Sequence, residues 1–359
     1  VGTVPQSLPL LQDRIEPDPV FQLQLPKELF KGKVRFGFYV SVKGQEHILP
    51  VNFERAESKL NNIFRNCYYA FGDHILAYHP GNCTFTVTKK NGAKIFFREI
   101  ALMANFLFPD RKEIGQARTK VAFRRGVKFI LFRSGYWLTR RKYHEKPVWI
   151  TQDKLYKGGD NAEYLYRYIK DNHLDKDFNI YYVIDGDAKD YKRLAKQYDT
   201  VVVFNSIRHK LLALNCDMML ATHVDTLNCN GFYTDTRPYV MDLYTARIVC
   251  LTHGMTVQQI AQYQNRTFDN TNYYFLVSKY EVENLRKPVY DYYDDSKLFI
   301  TGHGRFDGLI SDDRRQILIT PTWRRSLTIG HSQKGSMYDH SETFKNSDYY
   351  KIYNGLIND

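Results

Sequence analysis

Short apolar segments alternate with helical patterns from residue 147 to residue 300, and this alternation is the strongest restriction on the folds open to the chain. The apolar segments lie at 148–151, 180–184, 200–204, 218–222, 247–252, 274–277 and 297–300. Amphipathic patterns at 162–170, 191–198 and 206–214 separate the first four of them. Strands that alternate with helices indicate a parallel sheet with right-handed crossovers. The sequence therefore predicts an α/β fold.

The part of the chain before this region has a different pattern. Residues 1–32 contain five prolines and are predicted to form an extended lead-in. Polarity alternates at 34–42 and 83–88, which predicts a small β domain over 33–110. Lys90-Asn91-Gly92 is typical of a hairpin turn, so a further strand is expected at 93–97.

The α/β pattern divides into two unequal parts. Residues 147–312 are predicted to form one Rossmann-like half. A strand at 315–320 and a helix at 349–356 begin a second half over 313–359, which is too short to be a complete domain. We therefore expect the printed sequence to end part-way into the second half.

A basic segment, 111–146, joins the two predicted regions. It carries 12 Lys and Arg residues against two Glu. Phe123, Val127, Ile130 and Leu131 recur at helical spacing, which favours a basic amphipathic helix on an anionic membrane surface. The alternative is a linker helix that packs this stripe on a neighbouring domain. A nucleic-acid surface is less well supported because no recognised nucleic-acid module accompanies the segment.

The composition agrees with an anionic partner. The formal net charge is +12 at pH 7, which suits a phosphorylated substrate, an anionic lipid or nucleic acid. The five cysteines include no CxxC pair, which argues against a disulfide framework or a zinc site and fits a reducing cytosol. No apolar stretch approaches the ~18 residues that span a bilayer.

Two histidines stand at predicted strand ends, where ligands bind in open α/β sheets. His253 follows the segment 247–252 and precedes Gly254, so its neutral imidazole can accept a proton from an attacking hydroxyl. His223 ends the preceding strand and lines the same predicted crevice. A structural histidine bonded to a loop remains the alternative for each.

Two further segments carry residues suited to phosphate. In 302–307, Gly-His-Gly-Arg-Phe-Asp, Arg305 can hold a phosphate by two hydrogen bonds and Asp307 can orient it. The alternative is a local Arg305–Asp307 surface pair. In 320–324, Thr-Pro-Thr-Trp-Arg, Arg324 offers another anion contact. The Gly158-Gly159-Asp160 turn lacks a nucleotide fingerprint and is better explained as an N-capping turn with Asp160 as the cap.

Three of these segments together resemble the CDP-glycerol glycerophosphotransferase family, of the teichoic acid polymerase type. Thr252-His253-Gly254 looks like the family's strand-HG element. Residues 302–307 look like its GxPRxD-like element, with Gly304 where proline is usual, and 320–324 look like its APTWR-like element. Residues 153–163 also resemble the family's first strand-to-helix turn. The resemblance covers roughly residues 147–359.

The resemblance implies a GT-B-like pair of Rossmann halves, and a peripheral enzyme on the cytoplasmic face of a bacterial membrane. It implies transfer of glycerol phosphate, or a related alditol phosphate, from a CDP-alditol donor to a teichoic-acid-like or capsular polymer. The family's cytidine-binding half and second functional histidine are expected beyond Asp359. No resident cofactor and no metal-ligand set is predicted.

The resemblance places the general base at His253. Substrate contacts are expected, in addition, at seven residues: Arg305, Asp307, Arg324, Thr322, His303, Gly254 and His223. Two other functions stay open. One is a GT-B glycosyltransferase that uses a nucleotide sugar, and the other is a non-catalytic protein that binds anionic polymer at the membrane surface.

Overall fold

The computed structural model describes the two sheets and the helices around them. The described residues are 32–42, 44–49, 58–61, 63–107, 119–223, 230–233, 235–255, 257, 264, 271–290, 295–310, 328–332, 335–338 and 342–358.

An antiparallel sheet of five strands opens the described chain. Its strands are β1 (Val34–Val42), β2 (Gln45–Leu49), β3 (Tyr68–Phe71), β4 (His74–His79) and β5 (Thr84–Lys89). Their order in the sheet is β2-β1-β5-β4-β3. The strands that alternating polarity predicts at 34–42 and 83–88 are therefore confirmed.

The predicted hairpin at 90–97 is wrong, because helix α1 (Gly92–Leu107) occupies this part of the chain. The Asn91 side chain accepts a hydrogen bond from the Ala93 N–H group at 2.8 Å, so it begins a helix instead of a two-residue turn. Glu99, Leu102 and Phe106 are the buried residues of α1, at the spacing of a helical face. Asn91 therefore marks a change in chain direction, but the residues that follow it have helical and not strand periodicity.

The basic segment forms helix α2 (Thr119–Tyr143), which packs against α1. A Cβ atom at Gly126 would lie 2.2 Å from the Phe106 carbonyl oxygen, so glycine permits the close approach of the two helices. Phe129 and Tyr136 of α2 are buried in one core with Phe64 and Tyr239. One face of α2 is therefore part of the protein interior.

A buried ion-pair network centres on Arg133 of α2, which is fully buried. Its guanidinium donates to Glu99 of α1 and to both carboxylate oxygens of Asp242, each at 2.7 Å. Its Nη1 also donates to the Tyr239 carbonyl oxygen at 2.9 Å, and the Tyr68 hydroxyl donates to Glu99 at 2.7 Å. These contacts join the first sheet, α1 and α2 to residues 239–242 of the later α/β region.

The stripe predicted on α2 lies mostly outside the core that Phe129 and Tyr136 join. Phe123, Val127 and Leu131 are exposed, and only Ile130 is partly buried against the core. The stripe as a whole therefore does not pack on a neighbouring domain in the described structure. Phe129 and Tyr136 of α2 form that packing instead. None of the described helices has the length and apolar character needed to cross a bilayer.

The second sheet is parallel and has seven strands. Its strands are β6 (Val148–Gln152), β7 (Asn179–Ile184), β8 (Val201–Val203), β9 (Met218–Ala221), β10 (Arg247–Cys250), β11 (Thr271–Leu276) and β12 (Leu298–Ile300). The described helices between them are α3 (Asn161–Asp171), α4 (Tyr191–Gln197), α5 (Ile207–Leu214) and α6 (Lys279–Leu285). The predicted Rossmann-like α/β pattern is confirmed for this sheet.

The strand order is β8-β7-β6-β9-β10-β11-β12, and the direction of winding reverses between β6 and β9. A crevice opens outside the carboxyl ends of the strands at such a reversal. The loops after β6, β9, β10 and β12 meet at this edge and carry most of the predicted site residues.

Less of the remaining chain is described. It contains the hairpin β13 (Thr328–Ser332) and β14 (Gly335–Tyr338), followed by α7 (Glu342–Lys345) and α8 (Asp348–Asn358). Helix α8 confirms the helix predicted at 349–356. The strand predicted at 315–320 lies outside the described residues, so the second Rossmann-like half stays a prediction.

Replacement of Arg133 should destabilise the protein, because Glu99 and Asp242 would be left as buried charges without a compensating cation. We expect Arg133→Ala to lower the free energy of unfolding by about 3–5 kcal/mol. Arg133→Lys keeps the charge but cannot bridge both carboxylates, and should give a smaller loss. Urea denaturation followed by circular dichroism measures both.

Arg125→Ala is the matched control on the same helix, because Arg125 pairs with Asp235 at a partly exposed position. A loss within about 1 kcal/mol is expected for this control. An Arg133→Ala protein as stable as the Arg125→Ala protein would contradict the role assigned to the network.

Candidate active site

The first turn of α3 is fixed by the buried carboxylate of Asp153, which directly follows β6. Asp153 accepts hydrogen bonds from the backbone N–H groups of Asp160, Ala162 and Glu163 at 2.9–3.1 Å. The Tyr182 hydroxyl donates to the same carboxylate at 3.1 Å. Burial raises the pKa of Asp153 to about 6, the Asp160 charge adds to the rise, and the N–H bonds oppose it.

The glycine turn before α3 is structural. Asp160 caps the helix as predicted, since its side chain accepts from the Asn161 N–H group. The Gly158 N–H group donates to Asp190, and that of Gly159 donates to Glu163. Gly159 has φ +82°, a conformation that favours glycine. Because carboxylates already bind these N–H groups, the turn is not arranged to receive a phosphate.

Asn161, the first residue of α3, joins three strand ends. Its side-chain nitrogen donates to the carbonyl oxygens of Leu251 and Thr252 at 3.2 and 2.7 Å, both directly after β10. Its side-chain oxygen accepts from the Arg305 backbone N–H group at 3.1 Å. The loops after β6, β10 and β12 are therefore held in one arrangement by a buried amide.

Thr252 adopts a backbone conformation that β-branched residues rarely take, with φ +48°. Its hydroxyl donates to the Phe275 carbonyl oxygen at 3.3 Å and therefore accepts from Nε2 of His303 at 2.9 Å. Such conformations cost about 1–3 kcal/mol and persist where surrounding contacts impose them. The chain turns sharply at Thr252, and His253 is consequently exposed at the sheet edge.

His253 and His223 stack face to face, with ring centroids 4.0 Å apart and an interplanar angle of 13°. Nδ1 of His253 lies 3.4 Å from the Thr222 carbonyl oxygen, so the proton on this ring belongs on Nδ1 and Nε2 carries the lone pair. Burial, followed by the nearby His253 and Lys154, lowers the pKa of His223 to about 4. His223 is therefore neutral at pH 7, and the two rings can stack without charge repulsion.

Arg305 lies in the 3₁₀ helix Gly304–Gly308, immediately beside His253. Its Nη1 donates to the Asp160 carboxylate and to the His253 carbonyl oxygen, each at 2.7 Å. The predicted alternative, an Arg305–Asp307 pair, is not formed, because Asp160 takes that place. Nη2 and Nε have no partner among the described residues, so the guanidinium retains two donor positions for an anion.

The other predicted residues differ in their placement. The His303 ring is 3% exposed and lies behind Thr252, so it supports the turn and does not reach the opening. Burial, followed by the charge of Arg305, lowers its pKa, which keeps it neutral. Asp307 is exposed, and Gly254 is half-buried beside His253. Thr322 and Arg324 lie outside the described residues.

A groove of about 420 Å³ adjoins this edge of the sheet. It runs between α3 and the ends of β10 to β12, and its lining includes Asn161, Tyr164, Tyr168, Phe275 and Asp307. The groove is thus adjacent to the Arg305 segment. Among the described residues, no three His, Cys, Asp or Glu side chains come together as a metal site.

The pattern that defines CDP-glycerol:poly(glycerophosphate) glycerophosphotransferases matches residues 136–352, which is more than half of the chain. The chain belongs to this family. The family assignment made from the three segments is confirmed, and with it the class of glycerophosphotransferase-like transferases. The matched region includes the parallel sheet and every residue of the edge described above.

One similar protein supports the same assignment. The chain is 28% identical over 353 residues to the minor teichoic acid biosynthesis protein GgaB of Bacillus subtilis (strain 168). The match covers 97% of this chain and 37% of the relative. The chain therefore spans a little over a third of the length of the protein it resembles.

Three residues that build this sheet edge were not predicted as site residues: Asp153, Asn161 and Thr252. A local signal existed only for Asp153, a carboxylate directly after a buried strand and just before a helix N-terminus. Asn161 reads as an ordinary first-turn residue, and its partners lie 90 to 144 positions away. The strained backbone of Thr252 has no signature in the sequence.

The depressed pKa of His223 predicts a pH-dependent contribution to stability. The unfolded chain takes up a proton on His223 near its ordinary pKa of 6.5, whereas the folded protein resists protonation down to about pH 4. Wild-type stability should therefore fall through this group as the pH drops from 6.5 to 4. His223→Gln should show a fall that is smaller by on the order of 1–2 kcal/mol.

Urea denaturation at several pH values between 4 and 7.5 measures the difference. The comparison cancels the opposing contribution of Asp153, which both proteins share. Parallel curves for wild type and variant across this range would show that His223 is not held neutral by the fold.

Proposed function

We propose that this chain forms the acceptor side of a transferase that moves glycerol phosphate, or a related alditol phosphate, from a CDP-alditol to a polymer hydroxyl. The observation that carries the proposal is the exposed His253, whose Nδ1 faces the Thr222 carbonyl and whose own carbonyl binds Arg305. An imidazole and a guanidinium thereby lie side by side at the crevice of the sheet, which supports the proposal. Membership of the glycerophosphotransferase family supports this donor class.

The proposed reaction is a direct displacement at the β-phosphorus of the donor. The acceptor oxygen forms a bond to phosphorus while the bond to the CMP oxygen breaks, and CMP leaves. Nε2 of His253 takes the proton of the acceptor hydroxyl, since Nδ1 already carries one. The neutral His223 stacked on the ring holds its plane and adds no positive charge that would weaken the base.

Arg305 is suited to offset the charge that develops on the phosphoryl oxygens. Its Nη1 donates to Asp160 and to the His253 carbonyl, and these two bonds fix the plane of the guanidinium. The direction of the remaining donors, Nη2 and Nε, is fixed with it. Phosphoryl transfer gains its rate mainly from positioning and electrostatic stabilisation of this kind. Asp307 and Arg324 are further candidates for substrate contact.

The donor half of the site is proposed to lie in a second Rossmann-like half, in a GT-B arrangement. Teichoic-acid-like or capsular polymers are the proposed acceptors, and the relative named for minor teichoic acid biosynthesis supports this class. Growth of this polymer at the cytoplasmic face of the membrane is part of the proposal. The exposed stripe Phe123, Val127 and Leu131, among the basic residues of α2, is proposed as the surface that contacts the lipid.

His253→Ala tests the assignment of the base. In the complete natural protein, we expect CMP release from CDP-glycerol or CDP-ribitol to fall by about 10²–10⁴-fold, the usual contribution of a positioned base. His144→Ala is the control, because His144 is exposed at the end of α2, away from the sheet edge. Both variants should keep the wild-type thermal unfolding temperature.

A donor screen separates the proposed reaction from its rivals. Release of CMP from CDP-alditols supports the proposal, whereas UDP release from a UDP-sugar would identify a glycosyltransferase. Polymer binding without turnover of any donor, unchanged in His253→Ala, would identify a non-catalytic binding protein. Near-normal turnover in His253→Ala would remove this residue from the mechanism.

Asn161→Asp tests the positioning of the edge. A carboxylate still accepts from the Arg305 N–H group but cannot donate to the carbonyl oxygens of Leu251 and Thr252. We expect kcat to fall by roughly 10- to 100-fold, as for a misplacement of about 1 Å at a reacting group. Steady-state kinetics with the CDP-alditol donor measures this effect.

Asn105→Asp provides the matched control in α1, outside the groove, where the side-chain amide donates to the Ala101 carbonyl. Its kcat should remain close to that of the wild type. Equal losses in the two variants would mean that the effect reflects any change from a helical amide to a carboxylate and not the strand ends that Asn161 joins.

A further inference from the structure

A second, smaller pocket lies between α2 and the beginning of α5, and it shares no lining residue with the groove beside Arg305. Its volume is about 140 Å³, more than a single water needs. Lys128 of α2 and Lys210 of α5 both line it, together with Asn205 and Thr236. Two elements that are distant in sequence therefore bring two ammonium groups to one cavity.

Aromatic rings fix the position of Lys210 within this pocket. Its Nζ lies 5.9 Å from the ring centroid of Phe132 and 6.0 Å from that of Phe232. Lys128 Nζ lies 6.0 Å from the centroid of Phe129, which also lines the cavity. Cation–π contacts of this kind hold an ammonium group in place but leave its positive charge uncompensated.

The pocket combines positive charges without an acidic partner in the described part of the chain. Neither lysine forms an ion pair there, and the nearest basic residue on α2, Arg125, already pairs with Asp235. Burial, followed by the charge of Lys128, lowers the pKa of Lys210. Two like charges at a partly buried site destabilise each other, and an anion between them would relieve the repulsion.

We propose that this pocket binds the phosphate group of an anionic phospholipid. Phosphate accepts hydrogen bonds from several ammonium donors at once, and the side-chain amide of Asn205, which also lines the pocket, can donate one more. Basic pockets at the membrane surface bind lipid head groups by this chemistry.

The position of the pocket on α2 favours a lipid as the source of the phosphate. Val127 precedes Lys128 and Leu131 follows it by one helical turn, and both are exposed. A head group held by Lys128 would therefore lie beside the stripe proposed to contact the acyl region. This inference rests on the proposed membrane contact, and the experiment distinguishes the failure of one from the failure of the other.

The test compares phosphate-bearing and phosphate-free anionic vesicles of equal surface charge. Bilayers of digalactosyldiacylglycerol, which contains no phosphate, carry either phosphatidylglycerol or oleate, matched by zeta potential. Sedimentation measures binding of the complete protein. Because the matched surface charge cancels the general electrostatic attraction, only hydrogen bonds to the phosphate distinguish the two vesicles. We expect wild type to bind the phosphatidylglycerol vesicles about fivefold more tightly, which corresponds to about 1 kcal/mol.

Lys210→Gln should abolish this preference, and Lys210→Arg, which keeps the charge, should retain most of it. Arg124→Gln is the matched control, because Arg124 is exposed on α2 one turn before Lys128 and does not line the pocket. It should weaken binding to both vesicles equally. Unchanged thermal unfolding of each variant confirms that the fold is intact.

Each outcome has a definite meaning. If the preference survives in Lys210→Gln, or if the wild type has no preference, the proposed binding of lipid phosphate in the pocket is wrong. The proposed membrane contact by the stripe is not contradicted by either result. Absence of binding to either vesicle overturns both. Tight binding of soluble glycerol phosphate that is lost in Lys210→Gln, without any preference among vesicles, would assign the pocket to a free phosphate and overturn the lipid.

Discussion

The site depends on one buried side-chain amide. Asn161 satisfies the carbonyl oxygens of Leu251 and Thr252 and the backbone N–H group of Arg305. Buried backbone groups that lose their partners cost about 1–3 kcal/mol each, so three loops have one favourable arrangement while this amide is in place. Asp153 extends the constraint, because its carboxylate fixes the turn of α3 from which Asn161 projects.

The unusual backbone of Thr252 follows from this constraint. Its carbonyl is held by Asn161, and its hydroxyl is held by Phe275 and His303, so the residue keeps a conformation that it would not adopt alone. The turn places the His253 ring outside the sheet and against His223. Buried groups behind the edge thereby determine the orientation of the exposed group in front of it.

Helix α2 shows how one basic segment serves two environments. Its inner side places Arg133 between Glu99 and Asp242, where a buried cation is tolerated because two carboxylates and a carbonyl surround it. Its outer side leaves Phe123, Val127 and Leu131 exposed among basic residues. The net charge of the segment alone does not separate these roles, since the same residue types occur on both sides.

Local sequence determined three features, because each depends on neighbouring residues. Periodicity determined the strands of the parallel sheet and the position of His253 at a strand end, and residue type determined the capping by Asp160. The local pattern failed at 93–97, where a turn-forming asparagine proved to begin a helix. Only the tertiary structure decided that Arg305 pairs with Asp160, that His303 is internal and that Asn161 joins three strand ends. Those contacts link residues up to 145 positions apart. A local sequence pattern does not indicate which of many polar side chains come into contact in the folded protein.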